Sequence, residues 1–197
     1  MVQVNQAAGS RQRAAGNRQR ATGSRGLVLA AVLLVGAPAA ASTQQSIIIV
    51  RHAERQTGGE VDDSLSEVGR QRAERLAAIL KDAGITHVFV SDRRRTLETA
   101  APLARLRKLS PSRIAIPARG RGKIEPSELQ VRATLLAISK LPRTAVVLIV
   151  GHSNTLPIFL TRLGYDGRMT IPDPEFDNLF VVTPRATRTP AVVRLRF

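Results

Sequence analysis

Two of the three histidines in this 197-residue chain follow shortly after short apolar runs in the sequence. The run at 47–50 precedes Arg51 and His52, and the run at 145–150 precedes His152 with one glycine between them. A neutral imidazole is a competent nucleophile at neutral pH, because its ordinary pKa is ~6.5. Its attack on phosphorus would give a phosphoramidate that water can hydrolyse. These positions therefore suggest phosphoryl chemistry.

Arginines accompany the histidines at the same kind of position. Arg51 precedes His52 directly, and the basic run 91–96 follows the next apolar run along the chain. Arginine suits a transferring phosphoryl group, because its planar guanidinium can donate to two oxygens and its charge stabilises the equatorial oxygens. Helical spacing turns Arg94 about 100° away from Arg95. Arg95 and Thr99 should therefore share one face of a helix that Arg94 does not share.

The elements that must position these residues follow from the apolar periodicity. Continuous β-branched runs predict buried strands, and amphipathic patterns that end at glycine or proline predict helices. The predicted strands are 47–50, 87–90, 113–116, 145–150, 178–182 and 191–195, and the predicted helices are 66–83, 92–108, 127–140 and 154–163. Their alternation favours an α/β fold, a three-layer α/β/α sandwich with a mostly parallel sheet. Only eight residues separate the last two strands, which predicts an antiparallel edge.

Two predicted helices have apolar faces that should pack on the sheet. These faces contain Val68, Ala73, Leu76, Ala77 and Leu80 in the first helix, and Leu129, Ala133 and Leu136 in the third. In open α/β sheets, ligands bind beyond the carboxyl ends of the strands. Both histidines and the basic run should therefore converge on one rim, where helix starts also favour anions. Their common partner would be a dianionic phosphate.

Four sequence motifs occur in order along the chain. They are Arg51-His-Ala-Glu54, Leu65-Ser-Glu-Val-Gly-Arg-Gln-Arg-Ala73, Ser91-x-x-x-Arg95-x-x-x-Thr99-Ala100 and Gly151-His152. Together they resemble the histidine phosphatase superfamily, in its phosphoglycerate-mutase-like branch 1, over residues 46–197. The resemblance implies that His52 is the phosphorylated nucleophile and that Arg51, Arg95 and His152 complete the phosphate pocket. Ser153 stands where the acid-phosphatase branch usually has aspartate, and the compact chain resembles the short phosphohistidine phosphatases.

We expect no metal and no other cofactor, since two arginines and a second histidine would supply the positive charge. Larger members of this branch carry a proton-donating glutamate in an insert that is short here. Glu125 is the candidate for that role, and Glu128 is a weaker one. The alternative is that both begin a helix, where acids complement the dipole. Without a donor, esters with good leaving groups would be favoured.

Two further residues have open roles. Glu54 could orient an arginine or histidine of the site, or it could lie in a surface loop. Asn154 could reach the pocket, or it could cap the helix that follows it, which is the more conservative interpretation.

Residues 1–41 have the pattern of a signal peptide. They contain five arginines, no acid and a nine-residue apolar run, followed by Ala39-Ala-Ala41, which fits a cleavage site before Ser42. The apolar run is far shorter than the ~20 residues that span a bilayer. An over-long gene start is the alternative. The expected organisation is a signal peptide, 1–41, and a histidine phosphatase domain, 42–197, exported to the periplasm or secreted, with no stable membrane span after cleavage.

Composition narrows the classes of function. The chain has no cysteine, which excludes disulfides, thiolate metal sites and a cysteine nucleophile. The formal net charge of +15 favours anionic partners. We expect a small phosphorylated substrate and no specific nucleic acid. Phosphomonoester hydrolysis through phospho-His52 is the first hypothesis. Phosphohistidine-protein dephosphorylation or another phosphoryl transfer, and non-catalytic anion binding, are the alternatives.

Overall fold

The computed structural model describes residues 46–56, 58, 63–183, 185 and 189–197. The signal peptide predicted for 1–41 lies outside the described residues. Within the described part, no helix combines the length and the apolar character that a membrane crossing requires.

Strands and helices alternate along most of the described chain, which then closes with two strands. In order, the elements are β1 (Ser46–Arg51), α1 (Glu67–Leu80), β2 (His87–Ser91), α2 (Arg94–Arg107), β3 (Ser112–Ile114), α3 (Pro126–Ile138), β4 (Val146–Gly151), α4 (Thr155–Arg162), β5 (Asn178–Thr183) and β6 (Ala191–Arg196). The α/β class is confirmed, and each bound lies within three residues of the prediction.

The six strands form one sheet in the order β3-β2-β4-β1-β5-β6. Neighbours among β1, β2, β3 and β4 are parallel, whereas β5 runs antiparallel to β1 and β6 antiparallel to β5. This is the predicted mostly parallel sheet with an antiparallel edge. The loop before β6 is too short to bring the chain back to the other end of the sheet, which forces the reversal.

Alternate residues of the central strands enter two different cores. Ile47 and Ile49 of β1 pack in the core that contains α3 and α4, whereas Ile48 and Val50 pack in the core that contains α1 and α2. Because successive side chains of a strand point to opposite faces, a strand buried on both sides needs a continuous apolar run. The three-layer arrangement follows from this, with one pair of helices on each face.

The predicted apolar face of α3 is wrong. Ala133 and Leu136 are exposed, and the buried residues are Gln130, Val131, Thr134 and Ile138. Apolar residues occur all around this helix, so its periodicity does not choose a face. The buried polar pair is stabilised internally, since the Gln130 Nε2 amide lies 3.4 Å from Thr134 Oγ1 and the Thr134 hydroxyl donates to the Gln130 carbonyl at 2.9 Å. In α1, only Val68 departs from the predicted face, and it is exposed.

The start of α1 fixes the backbone that follows β1. Ser66 caps the helix by accepting a hydrogen bond from the Gly69 amide at 3.1 Å, and its own amide donates to the Glu54 carbonyl at 2.9 Å. A Cβ at Gly69 would lie 2.0 Å from that carbonyl oxygen. Only glycine therefore allows the helix to approach so closely.

Candidate active site

A cleft of about 560 Å³ opens beyond the carboxyl ends of β1, β2 and β4. Its lining residues come from these strand ends, from the starts of α2, α3 and α4, and from the segment before β5. They are Arg51, His52, Arg55, Arg93, Arg95, Ile116, Glu125, Pro126, Ser127, His152, Ser153, Asn154, Thr155 and Asp173. Four arginines face two carboxylates in this lining, so the cleft favours anions.

His52 is buried directly after β1, and its ring has a defined tautomer. The Nδ1 atom lies 2.8 Å from the Ala53 carbonyl oxygen. Because a carbonyl oxygen can only accept, Nδ1 carries the proton and Nε2 keeps its lone pair. Burial lowers the pKa of His52 to about 4, against the opposing Ala53 hydrogen bond and with help from the charges of Arg95 and Arg51. The imidazole is therefore neutral at neutral pH.

His152 occupies the equivalent place after β4, and the two rings meet edge to face with centroids 5.2 Å apart. The Nε2 atom of His152 lies 2.9 Å from Ser91 Oγ, and its backbone amide donates to Thr155 Oγ1 at 2.8 Å. Burial, helped by the neighbouring His52 and Arg95, lowers the pKa of His152 to about 3. The cleft therefore holds two neutral imidazoles side by side.

A small hydroxyl network supports His152. Ser91 Oγ lies 3.0 Å from Thr96 Oγ1 and accepts a hydrogen bond from the Arg93 amide at 3.2 Å. The Thr96 hydroxyl donates to the Arg93 carbonyl at 2.8 Å. Sequence reasoning used Ser91 only as a motif residue and assigned no role to Thr96. The available signal was a serine at the end of a strand buried on both faces.

The Arg51 guanidinium holds the segment before β5. Its NH1 group donates to the carbonyls of Pro172, Asp173 and Glu175 at 3.1, 2.7 and 3.1 Å, and NH2 donates to the Asp173 carboxylate at 3.3 Å. The guanidinium carbon lies 4.0 Å from the centre of the Phe176 ring. We call this set of contacts the carbonyl clamp. Burial lowers the pKa of Arg51 from its ordinary value, against the charge of Asp173.

Arg95 lies in the first turn of α2 and reaches the cleft, whereas its neighbour Arg94 does not line it. Arg94 is exposed and lies 3.7 Å from Glu98. Thr99 ties this turn to the His52 segment, because its hydroxyl donates to the Arg95 carbonyl at 2.7 Å and accepts from the Ala53 amide at 2.9 Å. The spacing argument thus selected the arginine that faces the cleft.

Glu125 and Asn154 both line the cleft at helix starts. Each occupies the residue before its helix, α3 or α4, and neither side chain makes a capping hydrogen bond within the described residues. The capping interpretation of Asn154 is therefore wrong. Glu128 lies elsewhere, in ion pairs with Arg132 and Arg162 beside a separate cleft of about 440 Å³. The weaker proton-donor candidate is thus away from the histidines.

Glu54 orients an arginine, but not one that lines the cleft. Its carboxylate accepts hydrogen bonds from Arg72 at 2.7 and 2.9 Å, and Arg72 also donates to the Phe197 carbonyl at 2.8 Å. Burial alone would raise the pKa of Glu54, but the Arg72 hydrogen bonds outweigh it and hold that pKa below its ordinary value. Glu54 therefore joins the start of the site loop to the end of the chain.

Arg55 and Arg93 are cleft residues to which sequence reasoning gave no role. Arg55 pairs with Asp63, whose side chain is buried. Arg93 lies directly before α2, and its Nε atom is 3.9 Å from Asp92 Oδ1. Within the described residues, no group of three or more His, Asp or Glu side chains is placed to hold a metal ion.

Comparison with known proteins agrees with this geometry. The model of the histidine phosphatase superfamily (branch 1) matches residues 47–115. The chain is 43% identical over 65 residues to phosphoglycerate mutase-like protein 4 of Arabidopsis thaliana, a match that covers 29% of this chain and 28% of that protein. The matched region thus spans less than a third of the length of that curated relative.

Solved structures share the fold. Mycobacterial hydrolase 1 has a TM-score of 0.60 at 14% identity, over 76% of this chain and 97% of that one. Mycobacterial glucosyl-3-phosphoglycerate phosphatase has a TM-score of 0.55 at 15% identity, over 71% of this chain and 90% of that one. Residues 47–115 therefore match the histidine phosphatase superfamily (branch 1) in sequence, and the fold and the order of the motifs agree with that match.

Proposed function

We propose that the protein is a phosphomonoester hydrolase that acts through a phosphohistidine on His52 and needs no metal ion. The observation that carries this proposal is the bond from His52 Nδ1 to the Ala53 carbonyl. It leaves the lone pair on Nε2, in a ring that is neutral at neutral pH and lines an arginine-rich cleft. Such a nitrogen needs no deprotonation before it attacks.

The reaction then proceeds in two displacements at phosphorus. In the first, the His52 Nε2 lone pair forms a P–N bond while the ester P–O bond breaks, and the leaving oxygen takes up a proton. In the second, water attacks phosphorus and gives a proton back to the group that protonated the leaving oxygen, while the P–N bond breaks and its electron pair returns to Nε2. Inorganic phosphate leaves, and the net reaction consumes one water for each ester.

Fixed positive charge stabilises the phosphoryl oxygens in both steps. The Nε atom of Arg51 is buried and has no hydrogen-bond partner among the described residues. An unpaired buried donor is costly, so an anion that accepts from it is favoured. Arg95 brings a second guanidinium to the same cleft. Two arginines and the helix starts provide the charge that a metal ion would otherwise supply.

The proton for the leaving oxygen must come from an acid in the cleft. His152 lies beside His52 but is neutral at neutral pH, so its ring can donate a hydrogen bond to a phosphoryl oxygen without supplying a proton. Glu125 is the carboxyl candidate, because it lines the cleft and its side chain is not used as a helix cap within the described part of the chain. We assign the proton donation to Glu125 for esters with poor leaving groups.

The test is hydrolysis of p-nitrophenyl phosphate by the full chain in the presence of a metal chelator. Wild type should be active, and His52→Ala should lose about 10³-fold or more in kcat/KM, because no other group can form the covalent intermediate. His87→Ala is the matched control, since His87 lies at the start of β2, outside the cleft lining. Unchanged activity in His52→Ala would overturn the proposal.

We also propose that the protein is exported, on the pattern of residues 1–41. Its test is separate from the enzymology: expression of the full-length gene, cell fractionation and amino-terminal sequencing of the product. A mature protein that begins at Ser42 in the exported fraction is the expected result. A full-length product confined to the cytoplasm would contradict it.

A further inference from the structure

More arginines line the cleft than the proposed hydrolysis uses. Arg51, Arg55, Arg93 and Arg95 line it, against the carboxylates of Glu125 and Asp173. The proposed hydrolysis uses two of these arginines. We infer that the substrate class is a phosphomonoester with a second anionic group, and that Arg93 binds that group. This inference rests on the proposed function for the position of the phosphate.

Arg95 is assigned to the phosphate, and the different ways in which the other three arginines are held select Arg93. The carbonyl clamp fixes Arg51. Arg55 is compensated by Asp63, a buried carboxylate. For Arg93, the recorded ion-pair contact is 3.9 Å to Asp92, at the limit of a salt bridge, and its side chain is 31% exposed. Its charge is thus the least compensated of the three.

The main chain of Arg93 is nevertheless anchored. Its amide donates to Ser91 Oγ at 3.2 Å, and its carbonyl accepts from the Thr96 hydroxyl at 2.8 Å. A loosely paired guanidinium on a fixed backbone can move toward a bound anion without a change in the fold. An arginine that makes two parallel hydrogen bonds to a carboxylate or phosphate is well suited to such recognition.

Arg93 also lies on a defined side of the histidine pair. Its charge acts on His152, whereas the charge of Arg55 acts on His52. An anionic group of the substrate near Arg93 would relieve the repulsion among the cations at this side of the cleft. The second anionic group is therefore expected on the His152 side of the cleft.

The experiment uses two matched substrates, 4-carboxyphenyl phosphate and 4-carbamoylphenyl phosphate, with the 3-substituted pair alongside to vary the reach. The carboxylate and the amide have nearly the same shape and differ in charge. Equilibrium binding is measured by calorimetry on the full chain, at low salt, for wild type at position 93, Arg93→Gln, Arg93→Lys and Arg94→Gln, all in a His52→Ala background that cannot hydrolyse the esters through a phosphohistidine. Arg94→Gln is the matched control, because it removes the same charge one residue away and outside the cleft lining.

Wild type should bind the carboxylate of at least one pair about tenfold more tightly than its amide, the equivalent of one good charge-assisted contact. Arg93→Gln should remove this preference, Arg93→Lys should retain part of it, and Arg94→Gln should retain all of it. Equal affinity of wild type for the members of both pairs would overturn the inference. An equal loss for both members in Arg93→Gln would also overturn it.

The outcome is separable from that of the proposed function. Binding preference is measured in the His52→Ala background, so it does not depend on whether the unmodified chain hydrolyses the esters. If wild type prefers the carboxylates through Arg93 but hydrolyses no phosphomonoester, the anionic subsite stands and the hydrolase proposal fails. If wild type hydrolyses both members of each pair and the two members bind with equal affinity, the hydrolase proposal stands and the subsite fails.

Discussion

The His52 and His152 corners of the cleft occupy equivalent places but are built from different chemistry. Each histidine directly follows one of the two paired central strands, β1 and β4, whose last residues Arg51 and Gly151 are in register. His52 bonds to a carbonyl, whereas His152 bonds to a hydroxyl. A carbonyl only accepts, so it fixes one tautomer. A hydroxyl donates or accepts, so it allows two.

This difference separates the two roles. A nucleophile needs its lone pair in one place at all times, and a backbone carbonyl supplies that constraint independently of the side chains around it. A ring that assists by hydrogen bonding to the phosphoryl group can use either tautomer, and a serine hydroxyl is compatible with both. The network of Ser91 and Thr96 therefore gives His152 a freedom that His52 lacks.

The largest expected effect comes from breaking the His152 corner while leaving the nucleophile in place. His152→Gln should lower kcat for p-nitrophenyl phosphate about 10²-fold, the usual loss for one donor or one acid–base group. Unlike His52→Ala, it should still form a phosphoenzyme, detected by intact-mass spectrometry after a neutral quench. A variant that forms no phosphoenzyme at all would show that the two histidines are not distinct in role.

A smaller effect is expected when only the partner of His152 is removed. Ser91→Ala deletes the hydroxyl and should lower kcat about tenfold, because Ser91 is a positioning residue that acts through the His152 ring. The ¹⁵N shifts of the His152 ring should change, and those of His52 should not. Thr134→Ala removes a buried hydroxyl of α3 and serves as the control. Equal shifts at both rings would contradict the separation.

The smallest effect is the response of the two rings to pH. Their folded-state pKa values are lowered from 6.5 to about 4 for His52 and to about 3 for His152. Both rings should be neutral at pH 7 and titrate in this order in an NMR experiment. Bound inorganic phosphate should raise both pKa values, since an anion favours the charged ring. A titration midpoint near pH 6.5 for either ring would contradict the burial of that ring.

The same two pKa values determine how the free energy of unfolding depends on pH. A group whose folded pKa is lowered gives stability that is complete above its ordinary pKa and is lost as pH falls toward the folded value. The free energy of unfolding should therefore decline as pH falls from about 6.5, down to about 4 through His52 and on to about 3 through His152. Urea denaturation at a series of pH values measures it.

Those parts of the fold that depend on side-chain pattern could be predicted from the sequence. The β-branched runs at 47–50 and 145–150 predicted strands buried on both faces, and the structure confirms them at the sheet centre. The face of α3 could not be predicted, because apolar residues surround that helix and the polar residues it buries hydrogen-bond each other.

The same limit applies to the site. The carboxyl ends of parallel strands meet at one edge of a sheet, and this rule predicted that four residues share one cleft: Arg51, His52, Arg95 and His152. The carbonyl clamp could not be predicted, because every residue has a main-chain carbonyl and residue type does not show which of them accept hydrogen bonds from Arg51. The partner of Glu54 could not be foreseen either, since Arg72 and the end of the chain meet only after the sheet has formed.

The carbonyl clamp has a consequence for protein engineering. Arg51 holds residues 172–175 mainly through backbone oxygens, so the amino acids at these positions can be exchanged while the hold persists. Asp173 lines the cleft with a side chain that is 93% exposed. Randomising position 173 would change the side chain that a leaving group can contact in the cleft, and it would leave the residues proposed to bind the phosphoryl group unchanged. The clamp thus offers a protected site for diversification, and new substrate preferences can be selected there first.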